Sequence, residues 1–110
     1  MKIKNNKTKI FNLEELYKII NSRIKSKNKN SYTYMLDKSP KMLYKKIREE
    51  AIELTKTRNK KQVIWETADL LYFVTVLLAK RKVKFEEVYK KLEERNKNPR
   101  KLIKLNKRGK

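Results

Sequence analysis

Between Lys45 and Tyr72 the chain carries Glu49, Glu50, Glu53, Glu66 and Asp69. These are five of only twelve carboxylates in a sequence with thirty-two Lys and Arg. Glu50 and Glu53 are three residues apart, and so are Glu66 and Asp69, so each pair shares one face of a helix. Glu49 and Glu53, four apart, share the edge of that face. Asp69 stands directly before the apolar run Leu70-Leu71-Tyr72-Phe73-Val74, where a carboxylate loses hydration and needs a partner. A divalent cation is such a partner. The sequence has no Cys and no His, which removes thiolate and imidazole ligands, Ser-His-Asp triads and imidazole acid–base chemistry. An all-oxygen donor set favours Mg²⁺, with Mn²⁺ as the substitute. A cation held this way orients a water, polarises a phosphoryl oxygen and stabilises a leaving group. The chemistry suggested is attack of water on a nucleotide phosphoanhydride.

Two helices must position these groups. Ser39-Pro40 is a helix start, a hydroxyl cap followed by Pro at the first position. From there a helix is predicted to about Thr57, with Leu43, Ile47, Ala51 and Leu54 as its apolar stripe. Arg58 to Lys61 is a polar break of hairpin length. The next helix runs from about Lys61 to Lys80 and is apolar nearly all round in its C-terminal half, which predicts a buried central helix with Trp65 and Tyr72 as core packing. Helices joined this closely are antiparallel neighbours. The pairs Glu53/Glu66 and Glu50/Asp69 share one midpoint, between Asn59 and Lys60, so four carboxylates are expected as two opposed pairs across the seam. Leu70, opposite Glu49, ranks Glu49 below Glu50.

The remaining elements follow from caps and periodicity. Asn12 with Glu15 reads as a capping box for a first helix to about Ser26, with Leu13, Leu16, Ile20 and Ile24 on one face. Lys27 to Ser39 is polar and reads as a loop. Arg81 to Lys84 is a turn, Phe85 opens a last helix to about Lys97, and Asn98-Pro99 ends it. One Gly and two Pro in 110 residues argue for a few long helices over a turn-rich β-fold. The expectation is one all-α domain over residues 12–97, an antiparallel bundle of about four helices, between a basic extension at 1–11 and a basic tail at 98–110. The N-terminus has no apolar h-region. Leu70 to Ala79, the longest apolar run, spans roughly 15 Å as a helix, short of a membrane core, so no membrane partner and a cytoplasmic location are expected.

At this point Glu49-Glu50-Ala51-Ile52-Glu53 and Glu66-Thr67-Ala68-Asp69 resemble the EExxE and ExxD metal motifs of the all-α, MazG-like nucleotide pyrophosphohydrolases. Within that superfamily the likeness is to the phosphoribosyl-ATP pyrophosphohydrolases of histidine biosynthesis. Ser31-Tyr32-Thr33 matches their SYT segment, Glu66 to Tyr72 is close to their EAADLLYH segment, and Leu77 to Val88 is similar to the segment that closes the domain. The likeness spans roughly Leu13 to Arg95. It implies a Mg²⁺-dependent release of pyrophosphate from phosphoribosyl-ATP, and a homodimer that completes the bundle. It implies Glu50, Glu53, Glu66 and Asp69 as metal ligands, Glu49 as ligand or water-orienting base beside Glu50, and phosphate contacts from Lys45 or Lys46. Ser31, Tyr32 and Thr33 would meet ribose or phosphate. Where the family carries Gly before the Glu pair, this chain has Arg48, a cation able to bind phosphate. Before Ser31, Lys27-Asn28-Lys29-Asn30 replaces the family's Pro and Gly.

Three other readings compete. The same metal site with a different base pocket would serve other nucleoside triphosphates. The glutamates could be surface residues paired with Lys, or a buried ion pair with Lys45 or Lys46; this explains Glu14, Glu15, Glu86, Glu87, Glu93 and Glu94 well and Glu66 and Asp69 badly, because Asp is a mediocre helix former. The formal charge of +20 would suit a non-catalytic bundle bound to RNA or DNA with a steep salt dependence. That charge is spread along the chain, there is no RNA-binding motif, and the acidic seam repels phosphate, so a nucleic-acid partner is not expected.

Overall fold

In the computed structural model, which describes residues 10–98, the chain is five helices and no strand among the described residues. They are α1 (Leu13–Ser26), α2 (Tyr32–Lys38), α3 (Pro40–Thr55), α4 (Lys60–Lys80) and α5 (Phe85–Lys97). Most of the N-terminal extension and nearly all of the basic tail lie outside the described residues.

Each long helix before α5 starts on a side-chain cap that satisfies an otherwise unpaired N–H. Asn12 Oδ1 accepts from the Glu15 N–H at 2.9 Å, Ser39 Oγ from Met42 at 3.4 Å and Asn59 Oδ1 from Gln62 at 2.9 Å. Gln62 Oε1 in turn accepts from the Arg58 N–H at 2.7 Å. The α3–α4 turn is thereby locked from both sides, and the two helices run as an antiparallel hairpin.

The core is Ile20, Leu36, Leu43, Phe73, Val76 and Ala79, with Leu16, Tyr17, Ile24, Ile47, Tyr72 and Leu77 packed around it. It draws on α1 to α4. The α5 helix is attached through Phe85, which is buried and meets the Tyr17 ring edge-on at 6.2 Å.

Two expectations are corrected. The Lys27–Ser39 loop contains a helix, α2, capped by Ser31 Oγ accepting from the Tyr34 N–H at 3.2 Å. It is too short to show periodicity, and it holds because it buries Thr33 and Leu36 against the bundle. Among the described residues the bundle therefore has five helices, where about four were expected. The second correction concerns α4, which is a half-buried helix. Its exposed stripe comprises Ile64, Ala68 and Leu71, spaced i, i+4, i+7, with Trp65 beside it at 57 % exposure. Trp65 is thus not a core residue of this chain. By length and composition the 21 residues of α4 are enough to cross a membrane, unlike the shorter run weighed from the sequence. Its packing against α1 and α3 and the carboxylates at its middle, costly in a bilayer, account for it as a bundle helix.

Candidate active site

The α3–α4 hairpin brings Glu50, Glu66 and Asp69 together. Each offers one carboxylate oxygen, and the three oxygens lie within 4.8 Å of one another. Glu50 and Glu66 are half-buried and Asp69 is exposed. Glu50 lies near Asp69, as the midpoint of the turn predicts, but it also meets Glu66, which the same count set opposite Glu53. Burial, first, and then a hydrogen bond with Glu66 and the charges of Asp69 and Glu66 push the Glu50 carboxyl above its usual range, against a smaller opposing pull from Lys46. The three carboxylates crowd negative charge at the seam, and a hard cation relieves that crowding.

Glu53 is exposed and stands outside this cluster. Position along the helix placed it level with Glu66, but not on the same azimuth as Glu50. Glu49 is half-exposed and faces lysines: Lys46 Nζ is 3.4 Å and Lys45 Nζ 4.0 Å from its oxygens. The adjacent glutamates are thus separated by the helix into one cluster member and one ion-paired residue. Of the three expected phosphate-binding cations on this helix, Lys46 acts on Glu50, Lys45 is paired with Glu49, and Arg48 is exposed, two residues from Glu50 and so turned to the other side of the helix.

Beside the cluster runs an open groove of about 490 Å³, lined by Arg23 and Ser26 of α1, Asn28, Ser31, Tyr32 and Thr33, and Tyr72 of α4. The Thr33 and Tyr72 hydroxyls are 2.7 Å apart, and the Tyr32 and Tyr72 rings stack at 6.4 Å. Thr33 is 1 % exposed. Its hydroxyl is engaged by Tyr72, so its position is that of a strut under the groove, while Tyr32 is exposed in the wall. Ser31 lines the groove while capping α2. Tyr72, expected in the core, is half-buried against Phe73 and also reaches the groove. Arg23 and Asn28 were not singled out from the sequence. The signal was available: Arg23 lies on the α1 turn that leads directly into the Ser31 segment.

The family model described as Phosphoribosyl-ATP pyrophosphohydrolase matches residues 13–96. The chain is similar to the phosphoribosyl-ATP pyrophosphatase of Lactiplantibacillus plantarum, 40 % identical over 88 residues that cover 76 % of this chain and 83 % of that protein. It is also similar to that of Saccharolobus solfataricus, 38 % identical over 89 residues, 77 % of this chain and 95 % of the other. A histidine biosynthesis bifunctional protein of Campylobacter jejuni is 39 % identical over 100 residues, 87 % of this chain and 48 % of that protein. No solved structure matches.

Proposed function

Because the chain belongs to the phosphoribosyl-ATP pyrophosphohydrolase family, we propose that it hydrolyses phosphoribosyl-ATP to phosphoribosyl-AMP and pyrophosphate, as a cytoplasmic enzyme of histidine biosynthesis. The observation that carries the reading at the level of residues is the convergence of Glu50, Glu66 and Asp69 within 4.8 Å, in a chain that has neither Cys nor His to offer as ligands. These three would hold Mg²⁺ (or Mn²⁺), and Glu53, exposed and outside the cluster one turn along α3, would have to turn toward the seam to join them as the expected fourth ligand. The cation supplies charge neutralisation and polarisation at the phosphoryl oxygens.

The protein's own groups do the rest. Lys46 stands beside the cluster and is suited to the phosphate oxygens that the cation leaves unneutralised, with Lys45 and Arg48 on the same stretch of α3 as further cations for a phosphate chain that extends past it. Glu49 lies next in the chain to Glu50 yet outside the cluster, so it is placed to take the proton of the attacking water when phosphate takes over its lysine partners. The Glu50 carboxyl is pushed above its usual range by burial and its acidic neighbours, so protons and a cation compete for it. The bond broken is the α–β phosphoanhydride, with pyrophosphate as leaving group.

A homodimer is part of the same reading. Ile52 of α3 and Ile64, Trp65 and Leu71 of α4 are all exposed, a concentration of apolar side chains that a partner surface would cover. The test of function is turnover of phosphoribosyl-ATP beside ATP and the other common triphosphates, with and without Mg²⁺. Release of pyrophosphate from phosphoribosyl-ATP only when Mg²⁺ is present is expected. Hydrolysis of the common triphosphates alone would replace the histidine-pathway reading with that of a broader pyrophosphohydrolase.

A further inference from the structure

The carboxylate seam accounts for one end of a substrate and leaves the groove beside it unexplained. Tyr72 belongs to both places. It lines the groove, and it stands three residues from Asp69 on the same face of α4. Along that helix the groove wall and the carboxylates are about one to two turns apart, roughly 5–10 Å. A volume of about 490 Å³ is in the range of small-molecule sites. The groove walls carry one cation, Arg23, whose guanidinium has no carboxylate partner among the described residues. Next to it are the amide of Asn28 and the hydroxyl of Ser31, and the half-exposed ring of Tyr32. A planar, permanently charged fork beside neutral hydrogen-bonding groups and an aromatic wall fits a sugar phosphate.

The geometry points to this groove as the subsite for the second, monophosphate-bearing ribose of the substrate, with Arg23 as the residue that binds its 5′-phosphate. The assignment rests on the phosphoribosyl-ATP reading. That molecule carries a triphosphate on one ribose and, across the adenine ring, a second ribose with a single phosphate. The carboxylate seam would hold the triphosphate through the cation, and Arg23 the far phosphate. A common nucleoside triphosphate has nothing to place there, so Arg23 is the specificity-determining residue of the pair of sites.

The test compares wild type with Arg23→Gln and Arg23→Lys. Loss of a charge-assisted contact made equally in ground and transition states raises KM and spares kcat. For Arg23→Gln the KM for phosphoribosyl-ATP should rise about ten- to a hundredfold with kcat within about threefold of wild type and an unchanged melting temperature, and Arg23→Lys should recover only part of the loss. An unchanged KM in Arg23→Gln overturns the assignment while the activity stands. The second measurement does not use turnover. Ribose 5-phosphate at millimolar concentration should shift the amide resonances of residues 23–33 in wild type and not in Arg23→Gln. If wild type fails to turn over phosphoribosyl-ATP but shows that Arg23-dependent shift, the proposed function falls and the sugar-phosphate site stands. If it fails to turn over and ribose 5-phosphate shifts both proteins alike, or neither, the site falls as well.

Discussion

Asp69→Asn separates what the carboxylate cluster does for stability from what it does for chemistry. The side chain keeps its volume, and Asn and Asp have similar helix propensities, so the change is close to the removal of one charge. Glu50 and Glu66 lie opposite Asp69 in the cluster, and counting a single negative charge there gives the smallest repulsion the variant would relieve. At the 4.8 Å limit of the cluster, two unit charges repel by about 0.9 kcal/mol in water and about 3.5 kcal/mol at an effective dielectric of 20. Asp69 is exposed, so the lower end applies, about 1 kcal/mol. For a domain of this size that corresponds to a rise in Tm of about 4–8 °C in the presence of a chelator. With Mg²⁺ the order should reverse. A cation at ten times its dissociation constant stabilises the native wild type by about 1.4 kcal/mol, whereas the variant should gain little, and its turnover should be lost. The assay is a pair of thermal melts at constant pH, in EDTA and in millimolar Mg²⁺, followed by circular dichroism. A variant that melts below wild type in EDTA would put Asp69 in a stabilising contact rather than a repulsive one. A variant that keeps the full Mg²⁺ shift would remove Asp69 from the ligand set.

Three further outcomes are expected. The folded-state pKa of Glu50 is raised above the unfolded one, so in EDTA the wild type should gain stability relative to Glu50→Gln as pH falls through the raised range toward that of an ordinary carboxylate, while the Mg²⁺-induced stabilisation should shrink over the same interval because protons compete for the ligand; paired melts between about pH 8 and pH 4.5 check both signs. Thr33→Val leaves the buried side of the Tyr72 hydroxyl without its partner and should cost about 1–2 kcal/mol in urea unfolding, with Tyr72→Phe in the Thr33→Val background adding little. If the proposed dimer forms through α4, wild type should sediment as a dimer and Trp65→Glu, which places a charge beside the exposed apolar stripe, as a folded monomer; a monomeric wild type would overturn the dimer, and a dimeric variant would take its contact away from Trp65.

Some of this was legible in the residues alone because the signals were local and repeated. The α3–α4 hairpin is written twice, in the Ser39-Pro40 and Asn59 starts and in the paired spacing of Glu50 and Asp69 about one turn. Heights along two joined helices follow from counting to within about a turn, which set Glu50 near Asp69 but not its meeting with Glu66. Azimuth does not, because it depends on how the helices roll against each other, and Glu53 is outside the cluster for that reason. The α2 helix was illegible because its seven residues make about two turns, too few to show a period, and one of the two side chains it buries, Thr33 beside Leu36, is polar, so its stability is tertiary. Trp65 shows a different limit. A large apolar residue beside a carboxylate reads as core in one sequence, whether the surface that would cover it is its own chain or another.

The α2 helix is fastened to α4 twice. Thr33 meets Tyr72 near its start, and Lys80 Nζ donates to the Asp37 carbonyl near its end at 2.6 Å. Between these points lies Leu36, fully buried. A segment fixed at both ends and pinned at its middle cannot swing as a flap on the time scale of a turnover. Its amides should exchange with deuterium together with those of α4, in the slowest class the domain has. Recognition in the groove is therefore of the rigid kind, in which the cost of ordering the site is met once, during folding, and not again at each encounter.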